Sequence, residues 1–175
     1  MQSSRKMPAQ KPGKSEQTVE TPKDFITAVE ARFGKIDFDL AAVYSNAKAS
    51  RFFGPTADSL KQDWTKLKGN LWLNPPFGDI APWAQKCAES TAGLSALKTA
   101  SRCILLLVPA SVGSNWWAEY VDQKALVLFT SPRLKFVNHK NSYPKDLALV
   151  VYSAMRPGYE CWRWNWNLSR LKKKS

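Results

Sequence analysis

The chain has 175 residues, with 26 Lys and Arg against 14 Asp and Glu, a formal charge of +12. That is enough length for one domain with a real core, and the charge points to a polyanionic partner, nucleic acid foremost. No apolar run approaches the roughly 20 residues of a membrane span, and no signal-peptide core is present. Three scattered cysteines (Cys87, Cys103, Cys161) and one histidine (His139) offer neither a disulfide framework nor zinc-ligand spacing. The thiols read as small buried hydrophobes in a reducing compartment.

Residues 1–20 are polar, rich in Pro, Ser, Lys and Gln, and read as a disordered basic leader. Order is expected to begin at Thr21-Pro22-Lys23-Asp24, with Thr21 at the N-cap, Pro22 at the first helical position and an acid at the third. Phe25, Ile26, Val29 and Phe33 then share a helix face, and Gly34 stops the helix. Ile36 to Ala42 is a first strand, alternating apolar residues with Asp37 and Asp39 before small residues. Those acids suit a ligand with cationic or hydroxyl groups, or equally a solvated edge.

Tyr44 to Lys68 is irregular, with Asp58 or Ser59 placed to cap a helical turn and Trp64 to cover a hydrophobic edge. Leu71–Leu73 is a strand, followed by a helix from about Ile80 to Leu97. That helix would bury Ile80, Trp83, Ala84, Cys87, Ala88, Leu94 and Leu97, with Gly93 weakening its middle. Cys103 to Val108 is a continuous apolar run, as in a parallel strand covered on both faces. Ser114 caps a short helix through Trp116, Trp117 and Tyr120. Ala125–Phe129, Leu134–Val137 and Leu147–Tyr152 are strands, the last two joined by a hairpin loop over His139–Asp146. Cys161 to Asn167 alternates tryptophan with polar residues, either an edge strand or a stacking surface for bases. The predicted architecture is an α/β, doubly wound sheet with an antiparallel hairpin at its edge.

The strongest chemical signal ends the second strand, at Asn74-Pro75-Pro76-Phe77. Neither proline has an N–H to continue a ladder, and each biases the residue before it away from helix. The Asn74 side chain and nearby carbonyls are thus left at the carboxyl edge of the sheet, where open α/β sheets bind ligands. The Asn74 amide oxygen and the Pro75 carbonyl can both accept from an exocyclic NH2, and Phe77 offers a face to a flat ring.

Thr21-Pro22, Asp37-Phe-Asp39-Leu-Ala-Ala42, Asn46-Ala-Lys48, Asp58-Ser59-Leu60, Trp64, Asn74-Pro-Pro-Phe77, Trp83, Leu107-Val-Pro109, Trp116 and Arg133-Leu-Lys-Phe136 occur in that order. The series is similar to that of the phage-type DNA N6-adenine methyltransferases (Dam-like), over about residues 21–153. The resemblance implies a Rossmann-like methyltransferase domain over 21–155, a Trp-rich segment and basic tail over 156–175, and S-adenosyl-L-methionine as methyl donor. It further implies double-stranded DNA as partner, adenine N6 as acceptor, and the cytoplasm of a bacterial or phage-infected cell.

By the same resemblance Asn74, Pro75, Pro76 and Phe77 are catalytic, Asp37, Asp39 and Asp58 meet the cofactor, and Thr21 and Pro22 close over its methionine end. A target adenine flipped from the duplex would stack on Phe77. Arg133 and Lys135 are candidate phosphate contacts and Trp116 a candidate pocket wall. No Gly-rich loop follows the first strand, and Asn74 follows Asp39 too closely for two intervening β–α units. The sheet is therefore expected to be shortened on that side. The residues alone leave open cytosine N4, RNA adenine or a glutamine amide as acceptor, and a catalytically silent nucleic-acid-binding module.

Overall fold

In the computed structural model, which describes residues 19–92 and 102–166, the apolar runs become strands whose successive side chains serve two different cores. The strands are β1 (Ile36–Asp39), β2 (Gly69–Leu73), β3 (Arg102–Pro109), β4 (Leu126–Ser131), β5 (Leu147–Tyr152) and β6 (Gly158–Arg163). Three helices accompany them: α1 (Lys23–Phe33), α2 (Ala81–Thr91) and α3 (Asn115–Tyr120). The leader up to residue 18, Gly93, Leu94, Leu97 and the tail from residue 167 lie outside the described residues.

Alternation along each strand explains the layering. Trp72, Leu105, Leu107, Leu128, Leu149 and Val151 point to one face, where Phe25, Ile26 and Val29 of α1 cover them. Leu71, Leu73, Ile104, Leu106, Val150 and Tyr152 point to the other, under Ala84 and Cys87 of α2 and Trp117 of α3. The sheet is thus sandwiched between helical layers, which is why β3 from Ile104 onward and all of β5 are buried.

The strand order is β1-β2-β3-β5-β4-β6. β1, β2 and β3 are mutually parallel, β5 is antiparallel to both β3 and β4, and β6 runs parallel to β4. The expected antiparallel hairpin at the edge is corrected here: the antiparallel strand lies inside the sheet. All six residues of β5 are buried, so Leu-Ala-Leu-Val-Val-Tyr needs a neighbour on each side. The edge instead falls to β6, whose Gly-Tyr-Glu-Cys-Trp-Arg is mostly exposed. Of the Trp-rich segment 161–167, Cys161 to Arg163 fall on this edge strand, while Trp164 and Trp166 lie beyond it.

Leu134–Val137 is not a strand. Its alternation is real, with Leu134 and Phe136 buried beneath α1, but its backbone bonds go elsewhere. Tyr143 N donates to Leu134 O at 2.7 Å, His139 N to Phe136 O at 3.2 Å, and Val137 N to Glu20 O at 3.0 Å. An irregular Pro132–Asp146 connection, anchored at two apolar points, reproduces the period of a strand without the ladder.

Smaller corrections follow the same logic. Pro22 rather than Thr21 is the N-cap of α1, with φ −65° and ψ 144°; its carbonyl accepts from Phe25 and Ile26 N–H. Gly34, at φ 92°, ends the helix as expected. Trp64 is 1% exposed, its ring 6.4 Å from Trp83 and its Nε1 donating to Ser59 O. Only Cys87 is a fully buried thiol; Cys103 is half-buried and Cys161 is exposed on β6. Gly69 is at φ +81°, and a Cβ there would sit 2.0 Å from the Asp37 carboxylate, which itself accepts from Asn70 N–H at 2.8 Å.

Candidate active site

β1 and β2 run parallel, so Asp39, the last residue of β1, and Asn74, just past the end of β2, reach the same edge of the sheet. The chain from Leu40 to Lys68 then wanders through three short 3-10 turns (Pro55–Ala57, Ser59–Lys61, Trp64–Lys66) instead of a crossover helix. What this irregular connection encloses is a cavity of about 420 Å³, within the size range of small-ligand sites. Its walls are a strap at Val19–Thr21, Asp39, the Ala41–Lys48 loop, Phe53–Pro55, Asp58–Leu60, the Asn74–Pro76 corner and Trp83.

Asn74 donates from Nδ2 to Val19 O at 2.8 Å and to Thr21 Oγ1 at 3.2 Å. Its Oδ1 is buried and, among the described residues, receives no hydrogen bond. Ser59 Oγ, on another wall of the same cavity, is likewise buried without a partner. Buried polar atoms are nearly always paired, so an unpaired one calls for an explanation. Asn74 and Ser59 both line the cavity, and a ligand bound there would supply the missing partners.

Asp39 has a different task. One carboxylate oxygen accepts from Ala41 N–H at 3.1 Å and the other from Lys48 N–H at 2.9 Å, shaping the loop over the cavity. Burial pushes its carboxyl above the usual range, against the two N–H bonds and the Lys48 charge, which favour ionisation. Lys48 Nζ pairs with Glu20 Oε1 at 3.0 Å, and both line the cavity. Asp58 is held at φ 44°, and its side chain pairs with Lys61 at 2.7 Å. Among the lining residues three carboxylates (Glu20, Asp39, Asp58) meet one ammonium (Lys48), an anionic interior in a strongly cationic chain.

The cavity therefore brings together Thr21, Asp39, Asp58, Asn74, Pro75 and Pro76. Pro22, Asp37, Phe77, Trp116, Arg133 and Lys135 do not line it. Asp37 is exposed and accepts from Asn70 N–H at the start of β2. Phe77 lies one residue past the lining, its ring 6.2 Å from Phe136 and 5.5 Å from Tyr143 in edge-on packing. Trp116 packs against Trp117. Arg133 is exposed and donates from Nε to Asp146 at 2.8 Å, and Lys135 is exposed beside it.

Glu20 and Lys48 are charged wall residues given no role from the sequence, which offers Ser59 only as a cap. Lys48 and Ser59 belong to motifs of the ordered series, a signal that marks position without chemistry. Val19 and Glu20 fell in the stretch read as leader, where polar composition hides a structural wall.

Parallel strands with an anionic cavity at their carboxyl ends define an α/β protein with a small-ligand site at the edge where such sheets bind. Residues 9–150 match the family described as DNA N-6-adenine-methyltransferase (Dam). A "DNA N-6-adenine-methyltransferase" of Escherichia phage T1 is 28% identical over 133 residues, 76% of this chain and 52% of that protein. The chain belongs to the DNA N-6-adenine-methyltransferase (Dam) family. It spans about half the length of the curated relative it matches. Among the described residues no helix is long and apolar enough to cross a membrane.

Proposed function

We propose that the protein transfers a methyl group from S-adenosylmethionine to N6 of adenine in double-stranded DNA, on a Rossmann-like sheet. The observation that carries this reading is the Asn74 amide oxygen, buried at the cavity wall with no donor among the described residues. Family membership and the parallel β1–β3 half of the sheet support it.

The wall residues fit the cofactor. Opposite charges at Glu20 and Lys48 match an amino-acid end with its ammonium and carboxylate, and the surplus of carboxylates suits a net cation. Ser59 Oγ supplies a further polar contact, and Trp83 an aromatic one. When bound, the cofactor supplies an electrophilic sulfonium methyl. The chain's own part is then positioning. Asn74 Oδ1 accepts one N6–H and the Pro75 carbonyl accepts the other, which fixes the direction of the amine nitrogen. The prolines hold both acceptors in a corner that cannot rejoin the ladder.

Phe77, next along the chain from that corner, packs edge-on against the buried Phe136 and the half-buried Tyr143, and the partly exposed rings of Phe77 and Tyr143 offer stacking surface to an extruded base. Lys135, Lys140 and Lys145 are exposed on the same Pro132–Asp146 connection and suit phosphate contacts that hold the duplex without reading its sequence.

The test is Asn74→Ala with radiolabelled methyl donor and adenine-containing duplex. Loss of about a hundredfold or more is expected, in line with removing a preorganised acceptor at a reaction centre. Transfer retained within about tenfold would reject the role given to the amide. Calorimetric titration of S-adenosylmethionine separates an enzyme from a silent nucleic-acid-binding module, which would give no heat.

A further inference from the structure

An asparagine side chain has a donating end and an accepting end, and only one of them suits any given neighbour. The Val19 carbonyl can only accept. Lying 2.8 Å from the Asn74 amide, it requires nitrogen there, because a carbonyl oxygen at that distance would repel it. Thr21 Oγ1, on a residue 1% exposed, takes the second N–H at 3.2 Å. Both donors are thereby consumed, and Oδ1, on a residue that lines the cavity, is left without a donor among the described residues. The opposite orientation would set oxygen against oxygen at Val19 and present N–H groups to an incoming NH2.

The strap that makes this choice is itself fixed at several points. Glu20 O accepts from Val137 N–H at 3.0 Å, Glu20 Oε1 pairs with Lys48, and Pro22 O receives the first N–H groups of α1. An acceptor pair held this firmly selects one amide orientation rather than adapting to either.

Resting on the methyl-transfer reading above, we infer that the Val19–Thr21 strap is a positioning device that locks Asn74 Oδ1 toward the substrate amine, with Thr21 as its side-chain component, and that it makes position 74 specific for asparagine over aspartate. A carboxylate at 74 has no donor for Val19 O or Thr21 Oγ1 as an acceptor. The Thr21 hydroxyl can turn and donate to a carboxylate, so the discrimination falls to the Val19 carbonyl, which an aspartate at position 74 meets productively only when protonated, with one O–H to give. Thr21 acts through Asn74 and needs no contact with the reacting atoms.

The test compares Thr21→Val, which keeps the shape and removes the acceptor, with Thr21→Ser, which restores it, and with Asn74→Asp. Thr21→Val is expected to lower kcat about tenfold, the scale of one hydrogen bond at a reacting centre. The S-adenosylmethionine Kd measured by calorimetry should change by less than about threefold, and Thr21→Ser should recover most of the turnover. Asn74→Asp is expected to be poorly active at neutral pH and to gain on the wild type as pH falls and the carboxyl takes a proton.

A readout independent of turnover is the Asn74 side-chain amide by NMR. Its two protons should be protected from exchange in the wild type and Thr21→Ser, and one should lose protection in Thr21→Val. Loss of kcat and of cofactor affinity by the same factor in Thr21→Val would overturn the inference, making Thr21 a cofactor contact. So would unprotected amide protons in the wild type, or an Asn74→Asp activity ratio flat with pH. A wild type that transfers no methyl group but shows both amide protons protected, one lost in Thr21→Val, would sink the methyl-transfer reading and leave the locked amide standing.

Discussion

The two ends of one sheet handle polar groups in opposite ways. At the β4–β6 end they are exposed and paired: Arg32 grips Glu160 with two bonds of 3.0 and 2.8 Å, Tyr159 meets Asp122, and Trp164 Nε1 donates to Pro132 O. Rings fill the space beneath, with Phe25 5.7 Å from Trp162 and 5.3 Å from Trp164. At the β1–β2 end polar atoms are buried, and two of them, Asn74 Oδ1 and Ser59 Oγ, have no partner among the described residues. A third such atom, Arg102 Nε, belongs to a guanidinium that donates to Thr65 O and Ser90 O. The contrast separates what holds the fold from what the fold is for. Completed networks stabilise, while the two unpaired oxygens on cavity-lining residues are the ones a ligand would complete.

The largest expected effect lies at the packed end. Trp162→Ala removes a half-buried indole that touches Phe25, Phe33 and Arg32. It should destabilise by about 2–3 kcal/mol, below the 3–5 typical of a fully buried ring. Denaturant midpoints measure this, and cofactor affinity should stay within about threefold of wild type. A larger affinity change would mean that the two ends are not separable.

Next comes Asp39→Asn, which tests whether the cavity wall is also structural. An amide can accept from Ala41 or Lys48 N–H but not from both, so one buried N–H turns against a donor. The expected loss is about 1–2 kcal/mol, with weaker cofactor binding as the Ala41–Lys48 loop loosens. The pH dependence should change as well. Burial raises the Asp39 carboxyl pKa in the folded state, so the folded protein binds that proton more tightly than the unfolded chain. Its contribution to stability is present below the unfolded pKa and is lost as pH rises through the raised folded value. Thermal melts of the variant should lack that component.

How much of this was legible depended on the range of the interaction that decided each feature. The Asn-Pro-Pro corner was readable because proline acts on its own neighbours. Gly34 and the β3 run were readable for the same local reason. The interior place of β5 was not, because strand order is decided by which apolar run needs two neighbours. Leu134 and Phe136 misled by period: two anchors spaced for a strand serve as pegs for a connection. The strap escaped because Val19 and Glu20 sit in polar sequence, while their partners Asn74, Lys48 and Val137 are distant in the chain. Asp37 and Asp39 are two residues apart and look alike in sequence. Strand alternation alone would put both on one face; the pairing of β1 with β2 shifts register between Ile36 and Phe38, and Asp37 is exposed while Asp39, at the strand's end, is buried.

Ser59→Ala sharpens the comparison from the cavity side. Removing a buried hydroxyl with no partner should leave stability within about 0.5 kcal/mol of wild type, or raise it slightly. Cofactor affinity should fall by about two- to tenfold, measured by calorimetry. Lost stability with unchanged affinity would place Ser59 among the fold-holding groups.

The smallest effect is expected from Arg32→Ala at the far edge. The bidentate pair with Glu160 has ideal geometry but sits in solvent, with side-chain exposures of 30% and 45%. Exposed pairs contribute about 0.2–1 kcal/mol and are screened by salt. The Arg32 hydrogen bonds and charge hold the Glu160 carboxyl below its usual range, outweighing a small desolvation effect. Its contribution is therefore present above the unfolded pKa and is lost as pH falls through the lowered folded value. In low salt at neutral pH the variant should melt slightly earlier, and the gap should close both in acid and in high salt. Arg32 also lies over the Trp162 ring at 5.4 Å, a contact that depends on neither the Glu160 charge nor its protonation. A gap that persists through acid and salt would assign the arginine's effect to the ring, and the packed end would then owe its stability to stacking rather than to charge.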